Sequence, residues 1–197
     1  MPLIDIARAL GFSFTSGVNL YATVAILGLT TRYDWVDLPP QFQVFDNDLV
    51  IYGAIGMYLI EFLADKIPWV DSMWDAVHTV IRPLGGALVA VAAVGEASPA
   101  VEGLVAVLGG SVAATSHFAK AGSRAAANTS PEPVTNSVLS VLEDLFVFGL
   151  GLLALVFPVV ALVLVLLLLV TILFFSVRLF RAARRWLGRG RPVSAGA

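Results

Sequence analysis

Cysteine is absent from the 197 residues, which excludes disulfides, thiolate metal sites and cysteine nucleophiles. Charge is scarce: 13% of residues are charged and 58% are hydrophobic, against about 25% and 45–50% in soluble domains. Acidic residues stop early, since all 14 precede Leu145, and histidine is limited to His78 and His117. The leading stretch "MPLIDIARALGFSF" lacks the basic start and small-residue cleavage site of a secretory signal. The uncharged run from Ala9 to Thr31 that follows it reads as a retained membrane helix.

What remains is oil spread along the whole chain, with a mean hydropathy of +0.89. This composition predicts an all-α integral membrane protein, a polytopic bundle of five to six transmembrane helices. Residues 1–180 form one domain, and 181–197 read as a basic cytoplasmic tail without fixed structure. The first span covers about residues 9–32. The acidic loop "RYDWVDLPPQFQVFDND" follows it, and a second span runs from near Leu49 to Pro68. A third begins at Asp71 and passes Pro83 to about Gly95. A fourth covers about Gly103–Ala127, and "NTSPEPVTN" is a turn-rich loop. From Asn136 a last helical region includes 33 uncharged residues, Leu145–Val177. These would reach roughly 50 Å, against an apolar bilayer core of about 30 Å, so the region is either one long tilted helix or two crossings broken at Pro158.

Arginines 178, 181, 184, 185, 189 and 191 form an acid-free end. Directly after an apolar span this reads as an anchor on an anionic cytoplasmic leaflet and not as a nucleic-acid site. With six crossings and this end inside, Arg8, Lys66, Lys120 and Arg124 also fall near the cytoplasm, as the positive-inside bias favours. The expected location is the bacterial cytoplasmic (plasma) membrane, multi-pass, with the C-terminus cytoplasmic. An internal echo pairs Gly53 with Gly109, Glu61 with His117 and Phe62 with Phe118, and "PxxDS" at 68–72 with "PxxNS" at 133–137. It is compatible with two repeated helix-hairpin units in which Asp71 and Asn136 cap the following helix.

The segment "EFLADKIPWVDSMWDAVHTVIRP" carries unusual chemistry for so oily a chain. Glu61 and Asp65 are four apart, with Lys66 beside them. Asp71, Asp75, His78 and Arg82 follow i, i+4, i+7, i+11, one face of a helix. His117, Lys120, Arg124 and Asn128 form a second such face, and Asn136, Ser140 and Glu143 a third. Glu132 lies in the loop between them, and Asn19 interrupts the first span within "FTSGVNLYA". Ionisable groups near hydrocarbon cost about 2.5–3.5 kcal/mol each, so they face a bundle interior and pair. The alternative is that the stripes lie at helix ends in the headgroup layer, where charge is tolerated. Gly17 and the small hydroxyls around it imply close helix packing, or a helix break that exposes carbonyls. "GGALVAVAAVG" and "LGGSVAA" read as tight packing faces.

The blocks "SGVNLYATVAILGLTTRY", "EFLADKIPWVDSMWDAVHTVIRP" and "KAGSRAAANTSPEPVTNSVLSVLED" resemble a bacterial membrane family catalogued as domain of unknown function 4126, over about residues 10–145. That resemblance implies a membrane location and singles out the same residues, without implying an activity. Two functional classes follow from the residues. One is a transporter or channel for a small ion or polar solute, with the acids binding a cation or proton and His78 or His117 relaying protons. The other is an enzyme acting on a lipid phosphate, in which Asp71 and Asp75 hold Mg²⁺ and Lys120 and Arg124 clamp phosphate. An accessory bundle is a third class. The transport class requires no cofactor. Its expected partners are the lipid bilayer and a small ion or polar solute, with a homo-oligomer left open.

Overall fold

A computed structural model describes residues 3–127 and 133–189. It contains seven α-helices: α1 (Leu3–Val18), α2 (Leu20–Arg32), α3 (Asp48–Ala64), α4 (Pro68–Val94), α5 (Pro99–Ala127), α6 (Pro133–Val156) and α7 (Pro158–Arg189). A 3-10 turn, Pro40–Phe45, lies between α2 and α3. By length and composition α4, α5, α6 and α7 can each cross a membrane. Several apolar helices of this kind are consistent with a multi-pass membrane protein. The 17 residues of α3 reach about 25 Å.

The first predicted span is not one crossing. Between α1 and α2 the single residue Asn19 is extended (φ −148°, ψ 101°), and the chain turns back there. Gly11 faces Ala154 of α6, Asn19 meets Asp144, and Ile26 then faces Gly151. Thus the chain descends along α6 and climbs again. Phe12 on α1 also packs edge-on against Phe42, beyond the end of α2, with centroids 6.1 Å apart. Arg8 lies within electrostatic reach of Asp37, so both arms start and finish at one end of the bundle. An uncharged run long enough for a crossing is here a hairpin of 16 and 13 residues. Its tip reaches Asp144, the middle of the 24-residue α6. Arg8 is accordingly at the opposite end from Lys66, contrary to the expectation that placed them together.

From that acidic end, α3 descends to Asp65, α4 returns, α5 descends to Arg124 and α6 returns. Arg32 ties the hairpin to α3 through Asp46 and Asp48, both at 2.7 Å. Asp71 and Asn136 lie inside α4 and α6 and do not cap them. Proline opens each helix three residues earlier, where its missing N–H is harmless. Helix α4 ends at Gly95 with φ 75°, a conformation that a Cβ disfavours.

The α4–α5 seam is made of small residues, as expected. A Cβ on Gly86 would collide with Ala113, and one on Gly109 with Ala90. Close approach of this kind substitutes for the hydrophobic drive that lipid removes. Gly17 is tighter still, since a side chain there would strike the Ala113 carbonyl and Ser116 Oγ. Helices α6 and α7 meet at Phe157. A Cβ on Gly11 would lie 2.8 Å from the Ala154 methyl and 4.0 Å from that of Ala161, so those methyls are within about 7 Å, where an unbroken helix separates such residues by about 10.5 Å. The chain therefore bends sharply at Phe157–Pro158 around α1, and the proline break replaces the single long helix. From there α7 continues as helix through Arg189.

Two outcomes follow. Single cysteines at Ile4, Asp37 and Ala97 should react with an impermeant maleimide from one side of the membrane and one at Ile67 from the other. Labelling of Ile4 and Asp37 from opposite sides would restore the single-crossing reading. Gly17→Ala should lower stability by about 1–3 kcal/mol, measured by unfolding in detergent.

Candidate functional site

Below the hairpin tip, the ionisable faces of α3, α4, α5 and α6 turn inward and meet. Glu61 is fully buried. Its Oε1 accepts from Arg82 Nη2 at 2.7 Å and from Lys120 Nζ at 3.0 Å. One turn lower, Asp65 Oδ2 pairs with Arg124 Nη2 and lies 3.5 Å from Lys120. Arg124 also donates through Nε to Glu143 Oε2 (3.0 Å) and through Nη1 to Asn136 Oδ1 (3.0 Å) and the Asp65 carbonyl (3.1 Å). Asn136 Nδ2 donates to the same Asp65 carbonyl, which closes the lower ends of α3, α5 and α6 together. Asp71 lies 3.8 Å from the Arg124 Nε.

Arg82 is the upper hub. Its Nη1 lies 3.4 Å from Asp75 and 3.4 Å from the Gly17 carbonyl at the foot of α1, and donates at 2.9 Å to His117 Nδ1. A guanidinium only donates, so His117 Nδ1 must be an acceptor and the imidazole neutral. Its Nε2–H then donates to Thr79 Oγ1 (3.1 Å), whose hydroxyl donates to the Asp75 carbonyl (2.9 Å). This chain leaves His117 no place for a second proton. His78 is held differently: Nδ1–H donates to the Trp74 carbonyl (2.7 Å), and Nε2 faces Tyr21 OH (2.9 Å). A hydroxyl can donate or accept, so His78 can take a proton without losing a partner. It also stacks on Trp74, with centroids 4.6 Å apart.

The broken helix presents both its ends to this cluster. The negative C-terminal end of α1 offers the Gly17 carbonyl to Arg82. The positive N-terminal end of α2, capped by Asn19 Oδ1 accepting from Ala22 N–H (2.9 Å), lies beside Asp144. Asn19 Nδ2 donates to Asp144 Oδ1 at 3.4 Å.

Among the described residues the cluster holds six carboxylates (Glu61, Asp65, Asp71, Asp75, Glu143 and Asp144) and three fixed cations, Arg82, Lys120 and Arg124. Buried charge must be paired or neutralised. With every carboxylate ionised the cluster would carry three surplus negative charges, so it holds protons or admits cations. Glu61 Oε2, Asp65 Oδ1 and Glu143 Oε1 are buried without a hydrogen-bond partner. No group of three or more His, Asp or Glu side chains among the described residues is spaced to hold a metal ion. Lys120 Nζ fills the space between Glu61 and Asp65.

Two grooves reach the cluster, one on either side of α5. One, of about 290 Å³, is walled by Phe14, Val18, Leu139 and Phe146 and reaches Lys120 and Glu143. The other, of about 240 Å³, opens between α4 and α5 onto Asp71, Asp75, Thr79 and Arg124.

Of the residues singled out from the sequence, Asn19, Glu61, Asp65, Asp71, Asp75, His78, Arg82, His117, Lys120, Arg124, Asn136 and Glu143 come together. Lys66 makes no ion pair with them: it donates to the Phe62 carbonyl (2.9 Å) and sits over that ring, with Asp144 and Asp65 in electrostatic reach. Asn128 and Glu132 lie outside the described residues. Sequence reasoning missed Asp144, Tyr21 and Thr79. Asp144 is four residues after Ser140, and that spacing on the α6 face would have revealed it.

Arg82→Met should destabilise the bundle by about 3–5 kcal/mol, because it strands Asp75 and leaves Glu61 with Lys120 alone. Adding Asp75→Asn to it should recover part of that loss. Unfolding in detergent micelles measures both, and an additive double variant would contradict the coupling.

The family model described as Domain of unknown function (DUF4126) matches residues 6–178. The match extends past the region of the sequence resemblance and takes in most of α7. No curated protein and no solved structure matches the chain.

Proposed function

We propose that this chain, which belongs to the DUF4126 family, is a small membrane transport protein that passes a small ion or polar solute through the buried polar cluster. One observation carries the reading. A set of ionisable side chains with twice as many carboxylates as fixed cations runs from the tip of a broken helix, at the middle of α6, to the helix ends at Asp65, Asp71 and Arg124. Intramembrane ionisable groups are costly, and transporters keep them where a substrate or proton must bind. Half-helices whose ends point at such a site are a recurrent way of building one. The grooves on either side of α5 supply two approaches to the same charges.

In this reading α3 to α7 make five crossings and the α1–α2 hairpin dips in from the acidic end. The end that holds Lys66, Lys120 and Arg124, together with the arginines after Val177, faces the cytoplasm of a bacterial cell. His78 serves as the imidazole relay, because His117 is locked by Arg82 and Thr79. The cluster needs no cofactor.

Vesicles containing the purified chain, an entrapped pH dye and an imposed potassium gradient test this. Wild type should dissipate the gradient. Asp71→Asn and Asp75→Asn should abolish that flux at unchanged expression, and His78→Gln should slow it at least tenfold while His117→Gln acts through stability. Equal fluxes in wild type, both aspartate variants and empty vesicles, for protons and for a panel of ions and polar solutes, would defeat the reading.

A further inference from the structure

Five of the six buried carboxylates have a cationic partner within 4.0 Å, and Asp144 is the exception among the described residues. It is 7% exposed. Its contacts are Asn19 Nδ2 at the hairpin tip, 3.4 Å from Oδ1, and the Tyr58 hydroxyl on α3. The charged groups that face it are Glu61 of α3, Asp65 and Lys66 of the α3–α4 turn and Lys120 of α5, with Glu143 adjacent on its own helix. Lys120 is engaged by Glu61 and Asp65, and Lys66 by the Phe62 carbonyl. Nothing in this surround fixes the charge of Asp144 by an ion pair. What does bear on it is the one residue that breaks the first helix.

We propose that Asp144 is a reversible proton-binding site and that its occupancy controls the hairpin tip at Asn19. As a carboxylate, Asp144 accepts from the Asn19 amide and lies at the positive end of α2, and both attractions hold the tip down. A proton taken from water onto the carboxylate leaves a neutral acid. The attraction to the helix end is lost, the bond from Asn19 Nδ2 weakens, and the tip is free to move away from α6. Departure of the proton restores the contact. The Gly17 carbonyl, two residues before the tip, is held by Arg82, so a movement at Asn19 is transmitted to the hub that also carries Glu61, Asp75 and His117. The idea rests on the transport reading only for its use: there Asp144 would be the group that couples protons to movement of the hairpin.

Infrared difference spectra of the full chain in vesicles of phosphatidylethanolamine and phosphatidylglycerol, stepped through neutral pH, read the C=O stretch of protonated carboxyl groups. A band that grows as pH falls, survives in Glu143→Gln and is lost in Asp144→Asn supports the site. A spectrum identical in wild type and Asp144→Asn overturns it. A second readout leaves Asp144 in place. Because the chain has no cysteine, Val18→Cys gives a single thiol beside the tip, and its maleimide labelling, normalised to unfolded protein at each pH, should rise several-fold on acidification. Labelling that does not change with pH overturns the control of the hairpin. Proton flux separates the two proposals. Full flux in Asp144→Asn sinks the role of Asp144 and spares transport, whereas a lost band in Asp144→Asn with no wild-type flux of protons or of the solute panel sinks transport and supports the site.

Discussion

Arg82 is fully buried in a bundle whose outer surface is hydrocarbon-like, and its guanidinium touches four separate pieces of the chain. It meets Glu61 on α3, Asp75 on its own helix, His117 on α5 and the Gly17 carbonyl at the foot of α1. In lipid, apolar side chains gain little by leaving one apolar surround for another, so helices are held by close packing and polar contacts. The α4–α5 seam of glycine and alanine provides the first. Arg82, with Arg124 one level below, provides the second. Removing either guanidinium would leave carboxylates stranded, which is why the arrangement of the remaining groups depends on these two side chains.

Among the described residues, helices break twice in the same local manner, with one extended or proline-flanked residue between two helical arms, and the consequences differ. At Phe157–Pro158 the break lies near the acidic end and is apolar, and it serves to wrap α6 and α7 around Gly11. At Asn19 the break lies midway, and the freed helix ends have polar partners: the carbonyl of Gly17 finds Arg82, and the side chain of Asn19 both caps α2 and reaches Asp144. A helix end in hydrocarbon needs such partners, because no water satisfies it.

Helical spacing in the sequence was enough to bring the acidic faces of α3 and α4 opposite the basic face of α5, because periodicity fixes which residues share a side. It was not enough to reveal the hairpin. Twenty-three uncharged residues satisfy a crossing and a re-entrant pair equally well, and the local signs of the turn are an asparagine in a capping position and the small residues Thr15, Ser16 and Gly17 before it, which are equally compatible with close helix packing. The direction of the chain is decided by tertiary contacts, Gly11 with Ala154 and Ile26 with Gly151, which leave no periodic trace. Asp144 escaped for another reason. Next to Glu143 it reads as a second member of an acidic pair at a helix exit, yet Asp144 faces the hairpin while Glu143 bonds Arg124.

In the proposed reading the balance of charge favours a mobile proton over a resident metal. A hard divalent ion gathers several oxygen ligands around one point. Here Lys120 Nζ stands between Glu61 and Asp65, and Arg124 between Asp65 and Glu143, so at these two points nitrogen already fills the space between carboxylates. The negative charge that remains is spread over oxygens with no common centre. A proton is the smallest charge that can neutralise an isolated oxygen without rearranging its neighbours, and it can leave by the same route. In the transport reading proposed above, carboxylates spread in this way are the groups that would change state as a proton or solute passes.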